Sequence, residues 1–302
     1  MSATSFTLII PTRNRPAELL RCLSSLVPQF PADGRMDVII CNDGDDVQSV
    51  AAQAGLPIRI LAGPRRGPGP NRNLGASHAG GDWLIFLDDD CLPQPRLLDA
   101  YFEFIDTLEA TTDIVLAGPT LRLDAHRNSL LWEAPENTSD TALPPSCNFA
   151  MPRGLFERTG GFDERYRTSF EDMEFFARLR AMGVPIRLVE KALIEHDSRP
   201  IPSPKVLANR WEARVISSLD FGASPAQTLW RLPRHVAMVI LSRFRGRSLD
   251  WENIQAAFHF AAEFLFVIVL LPAWIARHSR DSRSPFWIRQ RADGFAIPRF
   301  GL

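Results

Sequence analysis

The stretch WLIFLDDDCLP runs five bulky apolar residues into three consecutive carboxylates, Asp88, Asp89 and Asp90. Side chains alternate along an extended chain, so Asp88 and Asp90 are expected to project together and Asp89 to the opposite side. Two carboxylates aimed at one point repel unless a cation neutralises them. Oxygen ligands of this kind suit Mg2+ or Mn2+, which favour a diphosphate as a further ligand. A solvated acidic turn is the other reading. NDGDD, Asn42 to Asp46, offers the Asp43 carboxylate to a nucleobase or ribose, although Asp and Gly also form ordinary turns. In TSFEDMEFFARLRAMG, Thr168 and Glu171 have capping-box spacing, and Phe175, Phe176 and Leu179 give the buried face of a helix. The helix dipole favours Glu171 and Asp172 in a first turn and lowers an Asp pKa, which would keep a general base ionised. His196, after the apolar Ala-Leu-Ile, reads as a structural imidazole or as a neutral metal ligand.

The elements that must hold these groups are legible in the apolar runs. Phe6–Pro11, Met36–Cys41, Ile58–Ala62, Trp83–Leu87 and Asp113–Gly118 read as buried strands. Helical spacing follows at Arg15–Leu26, Val47–Ala54, Asn71–Ala79 and Leu97–Leu108. Alternating strands and helices predict a mostly parallel central sheet with helices on both faces, the α/β class. Ligands of such sheets bind at the carboxyl ends of strands, where TRNR, NDGDD and DDD all fall. Helices are expected at Gln227–Arg245 and Asn253–Arg277, giving a helical C-terminal region.

The 302 residues carry a net charge of −1, unevenly spread. Residues 200–302 hold 14 Lys/Arg against 7 Asp/Glu, and residues 1–199 hold 20 against 28. A basic last third could face an anionic surface. Only Lys191 and Lys205 are lysines, a bias that fits a GC-rich bacterial genome. Cys22, Cys41, Cys91 and Cys147 show no C-x-x-C pairing, which reads as reduced cytosolic thiols. The N-terminus enters a strand-like run at once, with no signal peptide expected.

Taken in order, PTRNR, CNDGDD, PNRNLGASHAGGDWLIFLDDDCLP, GGFDERY, FEDMEFFARLRAMG and a following His resemble the family 2 glycosyltransferases, over roughly residues 5–200. The resemblance implies the Rossmann-like GT-A fold and transfer of a sugar from a nucleotide-diphospho-sugar, commonly UDP-linked. It implies that Pro11, Thr12 and Arg15 line the nucleotide pocket, that Asp43 binds the base and that Arg72 lies near the nucleotide. Asp88 would reach the ribose or the metal, Asp90 would hold Mn2+ or Mg2+, and His196 would complete the metal shell. Asp172, with Glu171 beside it, would be the general base, and in-line attack would invert the anomeric centre. Cys147–Tyr166 would form the wall between donor and acceptor, with Asn148, Gly160 and Gly161 as its candidate contacts. One departure is the familiar V-D-D-G-S, here C-N-D-G-D, which puts Asp45 in place of the serine. The Gln-x-x-Arg-Trp segment of processive synthases is absent, so transfer of a single sugar in cell-surface polysaccharide biosynthesis is expected.

The expected domains are a catalytic domain over 1–215 and a basic helical region over 216–302. Phe264–Ile275 is a run of twelve uncharged residues, short of the roughly 20 that span a bilayer. Arg243, Arg245 and Arg247 flank it on one side and Arg277, Arg280 and Arg283 on the other. The run reads either as a core helix or as a segment lying in the interface of an anionic membrane. The expected partners are a nucleotide-sugar, a glycan or lipid-linked acceptor and an anionic membrane surface, with no nucleic acid. The expected location is the cytoplasm, peripheral on the cytoplasmic face of the inner membrane. Two other readings stand beside the transferase. A nucleotidyltransferase would carry a G-x-G-x-R loop after the first strand, and PTRNRP has no glycine. A catalytically silent sugar-binding module would have no need of Asp88, Asp90 and Asp172 together.

Overall fold

Four apolar runs alternate with four helices from the start of the chain: β1 (Phe6–Thr12), α1 (Pro16–Leu26), β2 (Met36–Asn42), α2 (Gln48–Ala54), β3 (Ile58–Ala62), α3 (Pro68–His78), β4 (Trp83–Leu87), then, after β5 (Cys91–Pro93), α4 (Leu97–Ile105). The computed structural model describes residues 4–122, 126, 128–139, 143–280 and 284–292. Short strands β6 (Val115–Ala117), β7 (Thr120–Leu121) and β8 (Trp132–Glu133) follow, then β9 (Asn148–Pro152), α5 (Arg153–Thr159), α6 (Glu171–Ala181), β10 (Ile186–Leu188) and β11 (Ile194–His196).

The main sheet has seven strands in the order β10-β6-β9-β4-β1-β2-β3. β9 is antiparallel to both its neighbours, and the remaining pairs are parallel. The mostly parallel sheet read from the sequence is therefore observed. Alternation along the strands sends Leu8, Ile10, Val38, Ile40 and Ile85 into one core with α1 and α4. It sends Ile9, Ile39, Phe86 and Phe149 into the other with Phe175 and Phe176 of α6. Burial on both faces is why these runs carry apolar residues at consecutive positions. Gly75 lets α3 lie close on β1, since a Cβ there would come within 2.5 Å of Ile9 Cγ2. All four cysteines are buried free thiols.

The chain parts into two compact units. One comprises Met1–Asp124, Ala134–Arg167 and Glu171–Asp197, and the other Ala125–Glu133, Thr168–Phe170 and Ser198–Leu302. The change was expected at 215/216, but α7 (Pro204–Arg210) and α8 (Glu212–Asp220) pack with α9 (Pro225–Arg243) and α10 (Trp251–His278). The reason is an apolar stripe: Ala208, Val215 and Leu219 share a core with Leu232, Val236, Val267 and Leu271. The second unit also holds strand β12 (Arg199–Pro200), paired with β8. Thr168 does not close the expected capping box, because its hydroxyl donates to the Asn209 carbonyl at 3.3 Å.

α10 corrects the reading of the twelve-residue run. It is one helix of 28 residues, long and apolar enough by length and composition to cross a membrane. The run looked short because Glu263 interrupts it, yet that carboxylate is buried and accepts from Trp211 Nε1 at 2.6 Å. Arg283 lies outside the described residues.

Candidate functional site

Strand β4 ends at Leu87, so the three aspartates are not extended. The Cys91 amide donates to the Asp88 carbonyl at 3.3 Å and closes a turn over them. The pleat argument for aiming Asp88 and Asp90 together therefore fails, because a turn rotates successive side chains by something other than half a circle. Each carboxylate has its own partners. Asp89 is buried and accepts from Thr12 Oγ1 at 2.7 Å and from Arg15 Nη1 at 3.1 Å. Asp90 accepts from the same Arg15 nitrogen at 2.5 Å and lies 3.1 Å from His196 Nε2. Asp88 accepts from Arg72 Nη2 at 2.6 Å.

The His196 contact is a product of register. β11 pairs antiparallel with β5, and His196 stands opposite Cys91, one residue beyond Asp90. Burial opposes charging of this imidazole, but the hydrogen bond it donates to Asp90 and the negative charge there outweigh burial and raise His196 to about 9. Oxygen, sulfur and nitrogen atoms of Asp90, Cys91 and His196 lie within 4.8 Å of one another. Cys91 is a poor ligand for a hard cation. Burial first, then Cys147, holds its thiol protonated, and it faces the Cys147 carbonyl at 3.7 Å. Asp90 and His196 together fit a Mn2+-type ion, provided the cation displaces the proton that the two share in the metal-free protein. Asp88 is turned to Arg72 and lies outside that group.

Arg72 ties the aspartate turn to α6. Its guanidinium is buried, with Nη2 on Asp88 and Nη1 3.3 Å from Glu171 Oε1, and it sits over the Phe162 ring. Phe162 is held in turn by Asn73, which accepts from its amide at 2.8 Å and donates to its carbonyl at 2.9 Å. Gly161 makes this approach possible, since its φ is +70° and a Cβ would meet Asn73 Oδ1 at 2.4 Å. Gly160 is different: it caps α5 in the left-handed region, with open space where a Cβ would be. Asn148, the third residue expected in the wall, is buried behind the sheet end. It accepts from the Tyr101 hydroxyl at 2.8 Å and donates to the carbonyls of Ala192 at 2.8 Å and Pro119 at 3.3 Å.

At the start of α6 the dipole argument is overridden by burial. Burial first, then the Asp172 charge, pushes Glu171 up to about 7 despite Arg72. Burial also raises Asp172, against the hydrogen bond it accepts from the Met173 amide at 2.7 Å. Within about one turn the dipole contributes roughly 0.3–1 kcal/mol, less than the desolvation of a carboxylate.

On the other side of Thr12, Asp43 is buried at the end of β2, and its Oδ1 accepts from the Arg65 amide at 2.6 Å. Pro11 and Thr12 are buried, while Arg15 is half-exposed. Asp45 is exposed, and its amide donates to Asn14 Oδ1 at 2.9 Å. The sequence reading passed over Asn71. It is buried beside Asp43 and Gly63, and its Oδ1 has no hydrogen-bond partner among the described residues. Its place immediately before Arg72 was the available signal.

Residues 7–152 match the family described as Glycosyl transferase family 2. Over 185 residues the chain is 32% identical to an uncharacterized glycosyltransferase of Haemophilus influenzae, covering 57% of this chain and 61% of that one. It spans about three fifths of the length of such curated relatives. The crystal structure of S. aureus TarS 1-349 in complex with UDP-GlcNAc superimposes with a TM-score of 0.55 at 18% identity, over 96% of this chain and 92% of that one. The mannosyltransferase PcManGT of Pyrobaculum calidifontis, in complex with GDP-Man and Mn2+, gives 0.50 at 17% identity, over 100% and 82%. These two likenesses establish the shared fold, the GT-A arrangement of a mostly parallel sheet with helices.

Proposed function

We propose that this chain, whose residues 7–152 match glycosyl transferase family 2, moves one sugar from a nucleotide-diphospho-sugar to an acceptor hydroxyl. The observation that carries this reading is the chain of contacts Glu171–Arg72–Asp88, with Asp172 next to Glu171 in sequence and the Asp90–His196 pair just past the carboxyl end of β4. Such an acidic cluster on one strand-end surface is what a diphosphate, a cation and a nucleophilic hydroxyl require together.

The residues divide the work. Glu171 is held by Arg72, whereas Asp172 has no side-chain cation within bonding distance among the described residues, which leaves it as the base. A base works best with a pKa near the working pH, and burial moves Asp172 upward in that direction. Asp172 takes the acceptor hydroxyl proton as the oxygen attacks the anomeric carbon. The bond to the diphosphate oxygen breaks with its electron pair on the nucleoside diphosphate, and in-line displacement inverts the centre. Glu171 and Arg72 position Asp88 for the ribose, and Asp43 with Thr12 receives the nucleoside, a uridine. Asp90 and His196 would hold Mn2+ or Mg2+, whose charge would stabilise the departing diphosphate. The acceptor is a glycan or lipid-linked saccharide of the cell surface.

The test is donor turnover with Mn2+ across a nucleotide-sugar panel, comparing the parent chain with Asp172→Asn. The variant should keep sugar-nucleotide binding and lose about 10²–10⁴ in transfer rate. Near-parental turnover would remove the base assignment, and failure of the parent to bind any nucleotide-sugar would remove the whole reading.

A further inference from the structure

The exposed face of α10 has the wrong chemistry for water. Ala256, Phe260, Glu263, Val267, Leu271, Trp274 and Ile275 form one buried stripe of the helix. The opposite stripe carries Phe258, Leu265, Ile268 and Val269, exposed by 75%, 65%, 42% and 73%. Between residues 253 and 276 the single charged side chain is the buried Glu263. A helix facing solvent ordinarily alternates this side with charges. α9, packed against α10, repeats the pattern with Trp230, Met238 and Leu241 exposed, eight and then three residues apart and so on one side of the helix.

The turn between the two helices continues it. Leu249 is 93% exposed there, beside a cavity of about 460 Å3 lined by Phe244, Ile254, Phe258 and Ala261 with Arg247 at its edge. Arg243 and Arg245 stand at this end, and Arg277 and Arg280 at the far end of α10, all exposed. Arginines bordering apolar stripes match anionic headgroups over acyl chains.

We infer that the α9–α10 pair is a membrane-interfacial platform that lays the exposed stripe of α10 into an anionic bilayer surface. Spanning is disfavoured by the helix's own packing. The buried stripe runs its length, from Ala256 to Ile275, within the cores shared with α7, α8 and α9. Withdrawing α10 into the bilayer would strip those cores and strand Glu263 from Trp211. The inference stands on the second unit alone and does not depend on the transferase reading.

The test is flotation of the full chain with vesicles of phosphatidylcholine alone or mixed with phosphatidylglycerol. The parent should float with the anionic vesicles and stay down with the neutral ones. Each of Arg243→Ala and Arg245→Ala should lower partitioning roughly fivefold, and raised salt should do the same. The double variant Leu265→Asn/Val269→Asn, at exposed sites that leave the helical circular dichroism unchanged, should abolish flotation. Four results would overturn the inference: no flotation with either vesicle, equal flotation with both, retention through alkaline carbonate as a spanning helix would show, or a dimer in solution that the double variant dissociates.

Discussion

Arg72→Met should destabilise the first unit strongly, and more so at high pH. Arg72 is 1% exposed, and its guanidinium serves two carboxylates, Asp88 at 2.6 Å and Glu171 at 3.3 Å. Breaking a buried pair by removing one partner costs about 3–5 kcal/mol, because the charge left behind is unpaired. Two features reduce that figure here. Asp88 keeps 27% of its side chain in solvent, and Glu171 can shed its charge by binding a proton. The expected loss is therefore about 2–4 kcal/mol at about pH 8, where Glu171 is ionised, and roughly half of that at about pH 5.5. The sign follows from linkage. With Glu171 at about 7 against an ordinary 4.5, the folded chain binds more protons than the unfolded one between those values. The contribution of Glu171 is thus most favourable below about 4.5 and is lost as pH rises through about 7. Glu171→Gln should flatten this slope in the parent, and adding it to Arg72→Met should recover about 1–2 kcal/mol at about pH 8. Urea unfolding at the two pH values, read as midpoint at constant m, measures all four corners of the cycle. A loss below about 0.5 kcal/mol for Arg72→Met, or an equal loss at both pH values, would refute the buried bridge.

Two other substitutions probe separate parts of the site. His196→Ala should weaken Mn2+ binding by at least about tenfold in calorimetry while Cys91→Ser leaves it nearly unchanged, since the Cys91 thiol is held protonated toward the Cys147 carbonyl. Asn148→Ala should cost about 2–4 kcal/mol of stability, because the Tyr101 hydroxyl and the carbonyls of Ala192 and Pro119 lose their partner. A variant that unfolds like the parent but transfers sugar poorly would return Asn148 to the donor wall.

Local pattern carried much of this protein. The runs 6–11, 36–41, 58–62 and 83–87 became β1 to β4 within a residue or so, because burial on both faces demands consecutive apolar residues. The same runs located TRNR, NDGDD and DDD at strand ends, since a parallel sheet puts every carboxyl end on one side. The two long C-terminal helices were likewise legible from their periodicity. The strands that complete the site were not. β5 and β11 are three residues each, too short for a period to be read, yet their register alone brings His196 to Asp90.

What the sequence determined by itself is the inventory: carboxylates at strand ends, an acidic helix start, a histidine downstream and an arginine-flanked apolar helix. Tertiary structure decided which of these groups meet and in what protonation state. A turn, set by the Cys91 amide, separated Asp88 from Asp90 and gave each its own cation. Burial pushed Glu171 and Asp172 upward where the helix dipole alone would have lowered them. Packing chose which stripe of α10 is hidden and left Phe258, Leu265 and Val269 outside. Composition counts charges and apolar groups, but desolvation depends on what surrounds each one, and that is fixed only when distant segments close around it.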